Sequence, residues 1–150
     1  MPETIDDATL VERFPWAQID HDSKRHFRGW LEEKLLINRC DDCGQMHHPP
    51  KPVCPKCWSQ SLRPTEVSGR GTIFMAMLLR QGPPAEGVDY AMGPHPVVTV
   101  DLEEQEGVRF TSTVIDCPHE EIVPGLEVET VWIQRSGSPF PVFRKREGRS

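Results

Sequence analysis

The apolar positions of this chain change their period along its length. Between residues 22 and 36, Phe27, Trp30, Leu31 and Leu35 recur at i, i+3, i+4 and i+8, the spacing of one buried helical face. Asp22 or Ser23 stands ready to cap that helix, and Lys24, Arg25 and Arg28 lie away from much of the stripe. Gly29 costs about 1 kcal/mol of helix propensity relative to alanine, so a close packing contact is expected there. From residue 65 the period becomes two. Residues 72–80, 96–103, 108–116, 126–134 and 140–145 read as strands parted by turn signals. Those signals include Ser-Gly-Arg-Gly at 68–71 and Pro124-Gly125, which suits a type II turn.

Alternation assigns faces to these strands. Val98, Val100 and Leu102 oppose Val97, Thr99 and Asp101, while Val108, Phe110, Ser112 and Val114 oppose Arg109, Thr111, Thr113 and Ile115. The first strand is apolar on both faces, with Ile73, Met75, Met77 and Leu79 against Phe74, Ala76 and Leu78. Such a strand is covered on both sides, here by the helix, by residues 37–64 or by another subunit. Five short strands predict a small barrel, closed or nearly so, of the OB-fold kind. Fifteen prolines in 150 residues, about twice average usage, exclude an all-helical bundle.

Between helix and strands lie four of the five cysteines, as Cys40-Asp-Asp-Cys43 and Cys54-Pro-Lys-Cys57. Two C-x-x-C pairs at short separation match a tetrahedral thiolate zinc site, because a two-residue spacer lets both sulfurs of a pair curl toward one point. Gly44 follows the first pair, where freedom to take positive φ closes the turn. Trp58 holds that position in the second pair and must tolerate a less favoured conformation or a different turn. Iron would suit the same four sulfurs. The site is closed and therefore structural: it supplies the cohesion that a ribbon of some 30 residues cannot draw from apolar burial. His47 and His48, between the pairs, are surplus to the metal's needs and are expected as exposed polar residues on the ribbon hairpin.

Charge is uneven. The net −6 divides into −4 over residues 1–20, +3 over 21–63 and −5 over 64–150. An acidic chain is repelled by phosphate backbones, so nucleic-acid binding is disfavoured. Hydrophobic residues at 37% and charged residues at 27% describe a soluble chain with a modest core. No apolar stretch approaches the ~20 residues of a membrane span, and the acidic start lacks the features of a signal peptide. A cytoplasmic protein with reduced cysteines is expected.

The predicted layout is an acidic arm at 1–21, a helix at 22–36, a zinc ribbon at 37–64, an OB-fold at 65–146 and a tail at 147–150. The arm shows little structure of its own, but Phe14 and Trp16 beside Pro15 are costly to leave in water and dock either on this chain or on a partner. Residues 81–95, which include Tyr90, are long for a connection and mark a binding or mobile segment. Cys117 precedes a proline without an evident cation or helix N-terminus, so an inert thiol is expected.

The order of these parts resembles a known bacterial and archaeal family. It is carried by an aromatic-bearing helix, then LLINRCDDCGQMHHPPKPVCPKC, then VSGRGTIF and a β domain closing with PFPVFRK. That family, formerly a domain of unknown function, joins a rubredoxin-like zinc ribbon to an acyl-CoA-associated OB-fold. The likeness covers roughly residues 22–145 and is tightest over 39–74. It implies an accessory subunit of thiolase-like enzymes or of lipid-transfer-protein-like aldolases in steroid side-chain breakdown, with enoyl-CoA hydratases as further partners. It assigns Zn2+ to Cys40, Cys43, Cys54 and Cys57. A CoA thioester as ligand of the complex would draw on bases such as Lys24, Arg25, Arg28, Arg70 or Arg109, with Phe14, Trp16 and Tyr90 as further contacts to ligand or partner.

Overall fold

Asp6 opens a helix where the sequence pattern gave only an arm. Its carboxylate accepts the Thr9 N–H at 2.8 Å and caps α1 (Asp7–Arg13), which buries Leu10. One buried leucine is too weak an apolar period to mark a seven-residue helix in the sequence. The computed structural model describes residues 6–82 and 88–146. Residues 1–5 of the arm, 83–87 of the long connection and the tail at 147–150 with Arg149 lie outside the described residues. The chain divides into two units, one of residues 1–67 with 134–140, the other of residues 68–133 with 141–150.

In the first unit α2 (Lys24–Leu31) carries the expected stripe but ends four residues before Leu35. Glu33 takes φ 57°, a left-handed turn that stops the helix, and Leu35 is buried from beyond it. Gly29 meets its expected contact: a Cβ there would lie 2.6 Å from Leu36 Cδ1 and 3.0 Å from the Lys34 carbonyl oxygen. A three-stranded antiparallel sheet follows, ordered β2-β1-β3, from β1 (Leu36–Cys40), β2 (Met46–His47) and β3 (Leu62–Glu66). Phe14, Trp16, Phe27, Trp30 and Phe140 form one aromatic cluster, with Trp16 stacked on Trp30 at 5.8 Å and edge-on to Phe140 at 5.4 Å. Arg13 fixes the arm to the same segment, its Nε donating to Ser138 Oγ at 2.9 Å.

The second unit is the β domain. Its sheet is built from β4 (Arg70–Leu79), β5 (His95–Leu102), β6 (Arg109–Ser112), β7 (Val114–Ile115), β8 (Glu127–Arg135) and β9 (Ser138–Lys145), in the order β6-β5-β4-β8-β9-β7. The predicted strand at 108–116 is present as two pieces, β6 and β7, broken at Thr113. Thr113 turns inward, donating its hydroxyl to the Pro96 carbonyl at 2.7 Å and accepting the Phe143 N–H at 2.9 Å. Its first piece pairs antiparallel with β5 and its second pairs parallel with β9, so one kinked strand joins both ends of the sheet and closes the barrel. Burial follows the predicted faces: Val98, Val100 and Leu102 are buried, as are Val108, Phe110, Ser112 and Val114. The architecture is mainly β: N-terminal helices, a cysteine-bearing zinc ribbon, then an OB-fold-like β domain.

Candidate metal centre

The two cysteine pairs sit on turns of one design. Cys40 N–H donates to the Gln45 carbonyl at 2.9 Å, and the Gly44 N–H returns to the Cys40 carbonyl at 2.9 Å. Fourteen positions on, Cys54 N–H donates to the Ser59 carbonyl at 2.8 Å and the Trp58 N–H returns to the Cys54 carbonyl at 2.9 Å. Gly44 takes φ 79° and Trp58 φ 66°. Trp58 thus accepts the left-handed conformation that its position demands, with an indole that is 80% exposed.

These turns bring four sulfurs together. All lie within 4.8 Å of one another, with Cys40 and Cys57 Sγ at 3.5 Å and Cys43 and Cys54 Sγ at 3.6 Å. Zn–S bonds of about 2.3 Å give a tetrahedron with edges of roughly 3.8 Å, so the cluster has the size of the metal it would hold. The thiols also need a cation. Burial opposes ionisation of Cys54, but the N–H groups of Cys57 and Lys56 outweigh it and bring the thiol down to about 7. The Ser59 N–H favours the Cys57 thiolate, yet the neighbouring sulfurs push Cys57 up to about 12. Four thiolates this close are stable together only around a positive charge. Zn2+ held by Cys40, Cys43, Cys54 and Cys57 would be four-coordinate and closed, supplying cohesion with no position left for substrate.

The histidines beside the ribbon are not the exposed pair expected. His47 is buried on β2 opposite Asn38 of β1, and His48 packs on His26 with ring centroids 5.0 Å apart. His26 is buried too, its Nδ1 bonded to the Leu36 carbonyl at 2.7 Å, which fixes the proton on that nitrogen. Burial, then the adjacent His26 and His47, lower His48 to about 3. Burial favours the neutral form of all three imidazoles, and Phe27 and Trp30 give His26 an apolar wall that the sequence did not reveal.

A cavity of about 540 Å³ lies in the same unit, lined by His21, Asp22, Lys24, Arg25, Asn38, Lys51, Pro52, Gln60 and Leu62. It collects three cations against one carboxylate in an acidic chain. Of the bases named from sequence, Lys24 and Arg25 line it. Lys24 and Arg28 pair with Asp7, at 3.5 and 2.6 Å. Arg70 pairs with Glu103 at 2.6 Å, and Arg109 with Asp101 at 2.8 Å while lying over the Phe74 ring at 3.7 Å. Tyr90 begins a 3₁₀ turn at 90–92, half-buried. Phe14 is a core residue, 1% exposed among the other aromatics, so it has no face to offer a partner; Trp16 is 44% exposed. Lys51 and Asn38 were missed because they reach the cavity from the ribbon, far in sequence from the helix. Cys117 is unactivated: burial and Glu121 raise its thiol. Among the described residues no helix is long and apolar enough to cross a membrane.

Comparison with known proteins agrees with this anatomy. Residues 27–63 match the family described as ChsH2, rubredoxin-like zinc ribbon domain, and residues 64–133 match ChsH2, C-terminal OB-fold domain. A DUF35 domain-containing scaffold protein of Pyrococcus furiosus is 34% identical over 71% of this chain and 73% of its own length. A probable enoyl-CoA hydratase alpha subunit of Thermomonospora curvata is 28% identical over 87% of this chain, which spans only 39% of that relative's length. Among solved structures, a chain of an Ltp2-ChsH2(DUF35) aldolase superposes with a TM-score of 0.75 at 28% identity, covering 86% of this chain and 98% of that one. With both halves matched and a scaffold relative above 30% identity, this chain belongs to the DUF35 family, of the ChsH2 zinc-ribbon and OB-fold type.

Proposed function

We propose that this chain is a non-catalytic accessory subunit that binds a thiolase-fold enzyme, a thiolase or retro-aldolase of acyl-CoA metabolism, and stabilises or activates it. The observation that carries this reading is the likeness, over nearly the whole of that chain, to a chain of an Ltp2-ChsH2(DUF35) aldolase. A closed four-sulfur site is consistent with it, since such a metal braces a scaffold and does no chemistry. Steroid side-chain or aromatic acyl-CoA breakdown in the cytoplasm is the setting we assign, with an enoyl-CoA hydratase as the alternative partner. The cavity beside α2 fits the same role: Lys24, Arg25 and Lys51 offer the phosphates of a CoA thioester three cations.

The test is affinity purification of the tagged chain from its native cells after nuclease treatment, with co-purifying proteins identified by mass spectrometry. A near-stoichiometric thiolase- or aldolase-type enzyme is expected. Recovery of only nucleic-acid proteins, lost on nuclease treatment, would overturn the reading in favour of a polynucleotide module.

A further inference from the structure

The β-domain strand that is apolar on both faces remains partly uncovered. β4 is paired with β5 along its length, but its other edge meets β8 only at Arg70, Gly71 and Thr72. Ile73 exchanges the last bonds on that side, donating to the Leu126 carbonyl and accepting from Gly125 N–H, each at 2.9 Å. The β4 register with β5 then shifts at Phe74. From Phe74 to Leu79, among the described residues, no backbone bond leaves the second edge. Along this stretch Phe74, Met75, Met77 and Leu78 are 46%, 48%, 49% and 38% exposed.

Natural edge strands are kept short, charged, bulged away or interrupted by proline, because a flat apolar edge recruits further strands. Residues 74–79 carry neither charge nor proline. The nearby charges are cationic: Arg80 follows the run, and Arg109 over the Phe74 ring is balanced by Asp101. At roughly 200 Å² per large apolar residue, the four exposed side chains offer on the order of 400 Å². A stable dimer takes about 800 Å² from each partner, so this strip is half of what a second copy of the chain would need. Two copies meeting here would also gather four arginines against two aspartates. Strand addition relieves the shortfall, since main-chain hydrogen bonds carry much of the affinity and side-chain pockets the choice of partner.

We propose that the free edge of β4, Phe74–Leu79, accepts an extended apolar strand of the partner enzyme subunit, one bearing a carboxylate that meets Arg80. This deepens the accessory-subunit reading and rests on it. The occupant adds to the sheet beyond the point where β8 begins, opposite Thr72, and its side chains cover Met75, Met77 and, beside Arg109, Phe74 on one face and Leu78 on the other.

The experiment compares hydrogen exchange of the full chain alone and in the complex purified as above, together with binding by the Met75→Asp/Met77→Asp protein. Free and bound wild type should differ most at the amides of residues 74–79, with at least tenfold slower exchange in the complex. The double variant should keep the wild-type melting temperature and zinc content and bind at least a hundredfold more weakly. Arg80→Glu, which leaves the strip intact, should weaken binding about tenfold. If the complex forms but protection falls elsewhere, or the double variant binds as wild type does, the edge proposal is overturned while the accessory role stands. A wild-type chain that brings down no enzyme overturns both.

Discussion

Trp58 occupies in the second knuckle the place Gly44 holds in the first: each returns its N–H to the first cysteine's carbonyl at 2.9 Å, from φ 66° and 79°. Left-handed backbone costs an L-residue about 1–2 kcal/mol, and the exposed indole gains little in exchange. Trp58→Gly should therefore leave the metal site intact and raise stability by up to ~1 kcal/mol, the unfolded-chain entropy of glycine offsetting the rest. Urea titration of the two proteins checks this, and a loss of stability would show that the indole packs in a way its exposure conceals.

The cysteines carry a separate expectation. Cys40→Ser or Cys54→Ser should reduce bound zinc from one per chain to near zero, and a strong chelator should do the same to the wild type. Because ribbons of this size draw about 10–16 kcal/mol from the metal, the first unit should lose its fold on removal. Metal analysis with near-UV circular dichroism of the tryptophan cluster reads both.

At Gly29 the expected packing contact leads to a reversed propensity effect. Alanine would help the helix by about 1 kcal/mol, but its Cβ would press on Leu36 and on the Lys34 carbonyl oxygen, the latter at 3.0 Å. Overpacking costs typically 1–3 kcal/mol, so Gly29→Ala should be net destabilising by about 1 kcal/mol.

His48 makes stability depend on pH. Its folded pKa, about 3, lies below the unfolded value, so the unfolded chain binds more protons between roughly pH 6.5 and 3. The contribution is complete above pH 6.5 and is lost as pH falls, by at most about 1.4 kcal/mol per unit. His26, lowered mainly by burial, acts in the same direction. His48→Gln should flatten the slope between pH 7 and 5. Zinc content measured on both proteins at each pH separates loss of metal from titration of the imidazole.

Phe14 tests whether the arm belongs to the body. Buried against Phe27 and Trp30, it should cost about 3–5 kcal/mol when cut to alanine. Trp16→Ala, at a half-exposed ring, should cost less. Equal and negligible losses would place the arm off the cluster in solution.

Much of this was legible because it rests on short-range chemistry. The C-x-x-C spacing, the period-two faces of β5 and β6 and the glycine at Helix position 29 each follow from residues within a few positions of one another. Contacts across the chain were not legible. Nothing near His48 in sequence says that His26 will pack against it, and nothing near Phe14 says that Phe140 closes the cluster. Lys51 joins Lys24 and Arg25 at one cavity for the same reason. The break at Thr113 was hidden because β6 and β7 alternate in phase, and only the inward hydroxyl bond to Pro96 shows where the strand bends.

The single hairpin of β8 and β9 serves both units, giving residues 134–140 to one and the rest to the other. Arg13 waits for Ser138, 125 positions away, and β7 waits for β9 before the barrel can close. Contacts of such long range slow folding, because loop closure precedes any reward. During synthesis neither unit is complete until this late hairpin has left the ribosome. A cut between residues 67 and 68 would therefore leave the first unit without residues 134–140, so its last segment arrives only with the far end of the chain.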